Sequence, residues 1–132
     1  MKFNWTQALQ LDIPPMDQDH KTIISMMEEL NSLVTENGSH DRIKSSFMKL
    51  LDFTKDHFRR EENFMESIKF PGLASHKIIH TRLLDQLSEY YSEFSETKKV
   101  PEKLLSFLSM WLRAHICGID MKYADFTKSS AA

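Results

Sequence analysis

Phe47, Leu50, Thr54, His57, Glu61, Phe64 and Ile68 follow one another at alternating steps of three and four residues. A strand would need steps of two, whereas this spacing holds every one of these side chains on a single helical face. A face so regular has to pack against other helices. The stripe is apolar except near its middle, where an imidazole and a carboxylate occupy inward positions. Burying a carboxylate costs several kcal/mol unless it is paired or binds a metal. The chain therefore predicts a helical bundle with something polar inside it.

Punctuation divides the rest. Pro14-Pro15 cannot lie inside a helix, so residues 1–16 are expected as an extended arm whose Phe3 and Trp5 pack on the body. Asp17 is read as the cap of a first helix over about 17–37, with Gly38 as its stop. A second helix is expected over about 41–70, ended by Pro71-Gly72, a third over about 73–95, and a fourth over about 101–126 with Pro101 as its first residue. The first helix carries Ile23, Ile24, Met27, Leu30 and Val34 on a stripe headed by His20. The third carries Leu73, His76, His80, Leu83, Leu87, Tyr90 and Phe94. The fourth reads Leu104, Leu108, Trp111 and His115, then slips register to reach Asp120 and Tyr123. Short connections between such helices predict an all-α, antiparallel up-down-up-down bundle forming one domain over 1–132.

That topology places the anomalies together. The starts of the first and third helices share one end of the molecule with the ends of the second and fourth. His20, His57, Glu61, His76, His80, His115 and Asp120 then fall in one slab. Without a cation, such a set would destabilise the fold. Neutral imidazole and ionised carboxylate are both metal ligands, and iron suits the mixture, with Mn, Zn and Co allowed by ligand type. The seven groups exceed a tetrahedral zinc site. On a pair of octahedral metals, terminal imidazoles, bridging carboxylates and a bridging oxygen leave one place open. The i,i+4 pairs His57/Glu61 and His76/His80 share helix faces. His115 and Asp120 are five apart, which predicts a π-bulge near Gly118.

Ile23, Ile24, Phe58, Met65, Trp111 and Ile116 stand beside these groups and predict a dry pocket suited to a diatomic gas. No catalytic residue is expected beyond the ligands. His40 is read as a solvent-exposed loop residue and Cys117 as a small helix residue outside the site. Glu62 is read as solvent-facing, so that Glu61→Ala should lower iron occupancy and Glu62→Ala should not. Lys77 stands where a zincin motif requires Glu.

Composition narrows the function classes. Only three Gly and four Pro in 132 residues argue against collagen-like, low-complexity and turn-rich β architectures. A net charge of −2 gives no electrostatic case for nucleic acid or an anionic membrane. One Cys excludes an internal disulfide and fits a reducing compartment. The N-terminus lacks an apolar signal core, and no apolar run approaches the roughly 20 residues of a membrane span. A cytoplasmic protein is expected.

The segments MDQDHK (His20), HFRREE (His57, Glu61), HKIIH (His76, His80) and HICGID (His115, Asp120) resemble the hemerythrin family, specifically the bacterial hemerythrins. The Trp-containing arm, the Pro-Gly break, WLRAH and the late Tyr123 match as well. The resemblance covers essentially the whole chain. It implies reversible O2 binding, as carrier, store or supplier, at two iron ions (Fe2+/Fe3+) joined by a bridging oxo or hydroxo group. It assigns His76, His80 and His115 to one iron, His20 and His57 to the other, and Glu61 and Asp120 to bridges. A sensory module signalling to a protein partner, and a diiron oxidase, peroxidase or NO-handling enzyme, are the competing readings.

Overall fold

A computed structural model of the chain describes residues 3–131. Four antiparallel rods make up the bundle: α1 (Pro14–Thr35), α2 (His40–Ser67), α3 (Leu73–Thr97), and a last rod built from α4 (Leu104–Arg113), a π-helical segment (Ala114–Asp120) and α5 (Met121–Ala131). The arm before α1 holds one 3-10 turn, Gln7–Leu9.

α1 begins earlier than expected. Pro14 and Pro15 lie in its first turn, where a missing N–H costs no hydrogen bond, and Ile13 before them is extended at φ −123°. Asp17 is consequently not the cap. It is buried in the first turn, and its Oδ1 accepts from the Leu11 backbone N–H at 2.8 Å, tying the arm down. Phe3, Leu9, Leu11 and Ile13 of the arm are buried, and Trp5 packs partly buried against the core.

The helix ends also differ in detail. Asn37, at φ 55°, takes the left-handed position after α1, and Gly38 N–H closes the turn on the Leu33 carbonyl at 2.7 Å. The stop is therefore an Asn, a residue that tolerates this region better than most. α2 starts on a Ser39 cap, whose hydroxyl accepts from Arg42 N–H at 3.3 Å. It stops before Lys69, which is left-handed at φ 56°. Pro101 lies in the turn before α4 and offers its carbonyl to Leu104 N–H at 3.1 Å, so it precedes the helix instead of opening it.

At one end of the bundle the core is hydrocarbon: Met27, Leu30, Phe47, Leu50, Phe94, Leu104 and Leu108 are fully buried there or nearly so. His40 belongs to this end. It opens α2 half-buried, its ring stacked on Phe94 at 4.7 Å, and is not the solvent-exposed loop residue expected. The inward stripe of α2 holds through Glu61 and then moves to Met65, leaving Phe64 and Ile68 partly buried. Among the described residues, no helix is long and apolar enough to cross a membrane.

Candidate metal centre

At the opposite end the four rods turn polar groups inward. His20 comes from α1, His57 and Glu61 from α2, His76 and His80 from α3, and His115 and Asp120 from the π segment. All are buried, and both carboxylates are 0% exposed. The π winding is what brings the last two together: five residues apart, they would diverge on an α-helix, yet His115 Nε2 lies 3.0 Å from Asp120 Oδ1.

Each carboxylate divides its oxygens between two groups of imidazoles. Glu61 Oε1 lies 2.8 Å from His80 Nε2, 3.3 Å from His76 Nε2 and 3.9 Å from His115 Nε2. Its Oε2 lies 3.4 Å from His57 Nε2 and 3.6 Å from His20 Nε2. Asp120 repeats the division, with Oδ1 at 3.0 Å from His76 Nε2 and Oδ2 at 3.2 Å from His20 Nε2. Two sets result, His76, His80 and His115 on one side and His20 and His57 on the other. Each set, together with both carboxylates, has ligand atoms within 4.8 Å of one another.

These contacts are close without being hydrogen bonds. Nε2 of His20, His76, His80 and His115, Oε1 of Glu61 and both oxygens of Asp120 are buried with no hydrogen-bond partner. Orphaned buried polar atoms are rare and costly. Here they are nitrogens and oxygens converging on shared points, as ligands to a cation do, and the donor set fits a pair of divalent metals bridged by carboxylates.

Electrostatics follow from the same crowding. Burial pushes the His20 imidazole down, but the adjoining Asp120 and Glu61 carboxylates outweigh it and raise its pKa to about 9. His115 goes to about 10 by the same balance, burial opposing and Asp120 then Glu61 prevailing. His57 and His76 are raised as well, burial again being overcome by neighbouring carboxylates. Burial acts to raise Glu61, but the surrounding imidazoles hold it well below the usual carboxylate range.

Three side chains back the centre from outside. Tyr123, buried in α5, donates its hydroxyl to Glu61 Oε2 at 2.7 Å. Asp19 Oδ2 lies 2.9 Å from His57 Nδ1 and accepts from Arg60 Nε at 2.8 Å. Glu62 Oε2 lies 2.8 Å from His80 Nδ1. Glu62 is therefore not the solvent-facing residue expected from its place off the stripe. Asp19 and Glu62 are the residues sequence reasoning missed. The available signal was that a ligating imidazole needs an acceptor for its second nitrogen, and each stands next to a candidate ligand in MDQDHK or HFRREE.

A narrow cavity of about 10 Å³ adjoins the two-His set. It is lined by His20, Ile23, His57, Phe58, Trp111, Leu112, His115 and Ile116. Ile23, Phe58, Trp111 and Ile116 stand where the sequence placed them, and Leu112 is an addition. Ile24 and Met65 do not line it. Ile24 is rotated by about 100° from Ile23 on α1. Met65 lies one turn beyond Glu61, whereas the cavity opens beside His57 and Phe58, a turn earlier. Both are buried in the core. Cys117 is exposed, with its thiol 3.6 Å from the Ala8 carbonyl, and takes no part in either set.

A four-helix bundle whose interior holds two His-rich sets sharing a pair of carboxylates has the frame of a binuclear-metal protein. A sequence model of the family described as hemerythrin HHE cation binding domain matches residues 12–126, and the chain belongs to the hemerythrin family. It is 32% identical over 125 residues to a bacteriohemerythrin of Stenotrophomonas maltophilia, covering 95% of this chain and 81% of that one. A hemerythrin subunit of Sipunculus nudus is 30% identical over 123 residues, covering 93% of this chain and 92% of that one. A crystal structure of a hemerythrin mutant superposes with a TM-score of 0.85 at 25% identity, covering 92% of this chain and 94% of that one.

Proposed function

We propose that this chain binds O2 reversibly at a diiron centre and serves as an oxygen carrier, store or local supplier. His76, His80 and His115 would hold one iron and His20 and His57 the other, with Glu61, Asp120 and an oxo or hydroxo group as bridges. The single observation that carries the reading is the division of both carboxylates between an imidazole-rich and an imidazole-poor set, with the apolar cavity beside the poorer one. When bound, the iron pair supplies the two electrons that O2 accepts and returns.

The chain's own residues support binding without turnover. Ile23, Phe58, Leu112 and Ile116 give the cavity an apolar lining that disfavours water. Apart from the candidate ligands, the only polar side-chain atom among its lining residues is the indole nitrogen of Trp111, which is buried without a partner. Among the described residues that line the cavity, none besides the candidate ligands is a titratable acid or base. The exposed, unpaired Cys117 favours a reducing compartment such as the cytoplasm.

The test is to load the reduced protein anaerobically with ferrous iron, admit O2 and remove it. A pair of irons per chain and a visible band that appears and fades with O2 are expected. Irreversible oxidation with peroxide release or substrate turnover would replace the carrier reading with an oxidase or peroxidase.

A further inference from the structure

Two of the five imidazoles are gripped from behind, one in each metal set. Nδ1 of His57 meets Asp19, and Nδ1 of His80 meets Glu62, whereas Nδ1 of His20, His76 and His115 is buried without a partner. A carboxylate behind an imidazole keeps the proton on Nδ1, frees the Nε2 lone pair for a metal, and makes that nitrogen a stronger electron donor. The two grips are unequal. Asp19 shares the same Oδ2 between His57 and the Arg60 guanidinium at 2.8 Å, so part of its negative charge is already spoken for. Glu62 has His80 as its only ion-pair partner among the described residues.

The grips also sit across helix boundaries. Asp19 on α1 reaches His57 and Arg60 on α2, while Glu62 on α2 reaches His80 on α3. Both carboxylates lie at the rim, Asp19 with 15% and Glu62 with 26% of its side chain exposed, so neither is needed to fill the core.

We propose that Asp19 and Glu62 are positioning residues that orient His57 and His80 toward the metals and set their electron supply unequally, Arg60 weakening the push on His57 while Glu62 delivers its own in full. The proposal rests on the two-metal reading of the centre. It makes Arg60 a regulator of a metal position it does not touch.

The experiment uses the isosteric variants Asp19→Asn and Glu62→Gln, together with Arg60→Gln, each in the full chain. Metal content, release rate to a chelator and the midpoint potential of the iron pair are measured. The visible spectrum of the cobalt(II)-loaded protein provides a readout independent of O2. Both carboxylate variants should bind metal about 10- to 100-fold more weakly, the range in affinity lost with outer partners of ligating histidines, and release it faster to a chelator. Both should shift the potential upward, Glu62→Gln more than Asp19→Asn. Arg60→Gln should shift it downward, because an unshared Asp19 pushes harder on His57. A structural contact alone would not reverse sign in this way. Potentials and cobalt spectra equal to the parent's, or an Arg60→Gln shift in the same direction as Asp19→Asn, would overturn the proposal. A parent protein that fails to take up two metals sinks the two-metal reading itself, and is told apart by metal analysis before any variant is made.

Discussion

Glu61 is the residue on which the centre turns, since each of its oxygens serves a different set and one of them also accepts from Tyr123. Tyr123→Phe removes that donor and leaves a buried carboxylate oxygen short of a partner, which costs about 1–3 kcal/mol. A urea titration of the metal-free protein should show this loss, with the helical content kept. The raised imidazoles give a second expectation. A histidine whose folded pKa lies above its unfolded value contributes stability that is fully present below the unfolded pKa and lost as pH rises through the folded one. For His20 and His115 the window runs from 6.5 to about 9 and about 10. The metal-free chain should thus unfold at lower urea at pH 9 than at pH 6, and metal uptake should release protons and tighten over the same range. A flat pH profile would contradict this. Six of the seven candidate ligands were legible in the sequence as polar residues on apolar stripes, and Asp120 only through the register slip that its five-residue distance from His115 demands. Asp19 and Glu62 were not, because they face the backs of imidazoles from positions off the stripe, where charged residues are ordinary.

At the scale of elements, the π segment does what the five-residue spacing of His115 and Asp120 demands. Gly118 sits inside it without need of its small size: a Cβ there would meet nothing within 4 Å, and its φ is not positive. Gly118→Ala should therefore raise stability by about 0.5–1 kcal/mol by limiting the unfolded chain, with metal content unchanged. Thermal unfolding and metal analysis check this together; a fall in both would mean that the wide turn depends on glycine after all. The helices themselves were readable from periodicity, yet several of their ends were not. Pro14-Pro15 looks like a barrier to a helix but is equally good as its opening. Gly38 marked the end of α1, but the left-handed residues are Asn37 and Lys69, neither a glycine, and the turns close through Gly38 N–H to Leu33 and Phe70 N–H to Met65.

Across the whole molecule, hydrocarbon fills one end of the bundle and the candidate centre fills the other, as the alternating topology required. Trp111 stands between the inside and the outside. Like His115, it lines both the inner cavity and an exposed, mostly apolar groove formed with Ile79, Leu83, Phe107, Met110, Ala114 and Ile119. Trp111→Ala should join the two and admit water. Under the proposed function, the O2-dependent visible band would then decay at least about tenfold faster than in the parent, a difference of about 1.4 kcal/mol in barrier; an unchanged decay would show that the indole is not the wall. Periodicity could not have revealed that groove, because it depends on how far apart α3 and α4 stand. Finally, each of the two candidate ligand groups draws on three of the four rods, and both include Asp120 from the last one. Under the two-metal proposal the full donor set exists only after the last rod has docked, so complete ion uptake would report a finished fold.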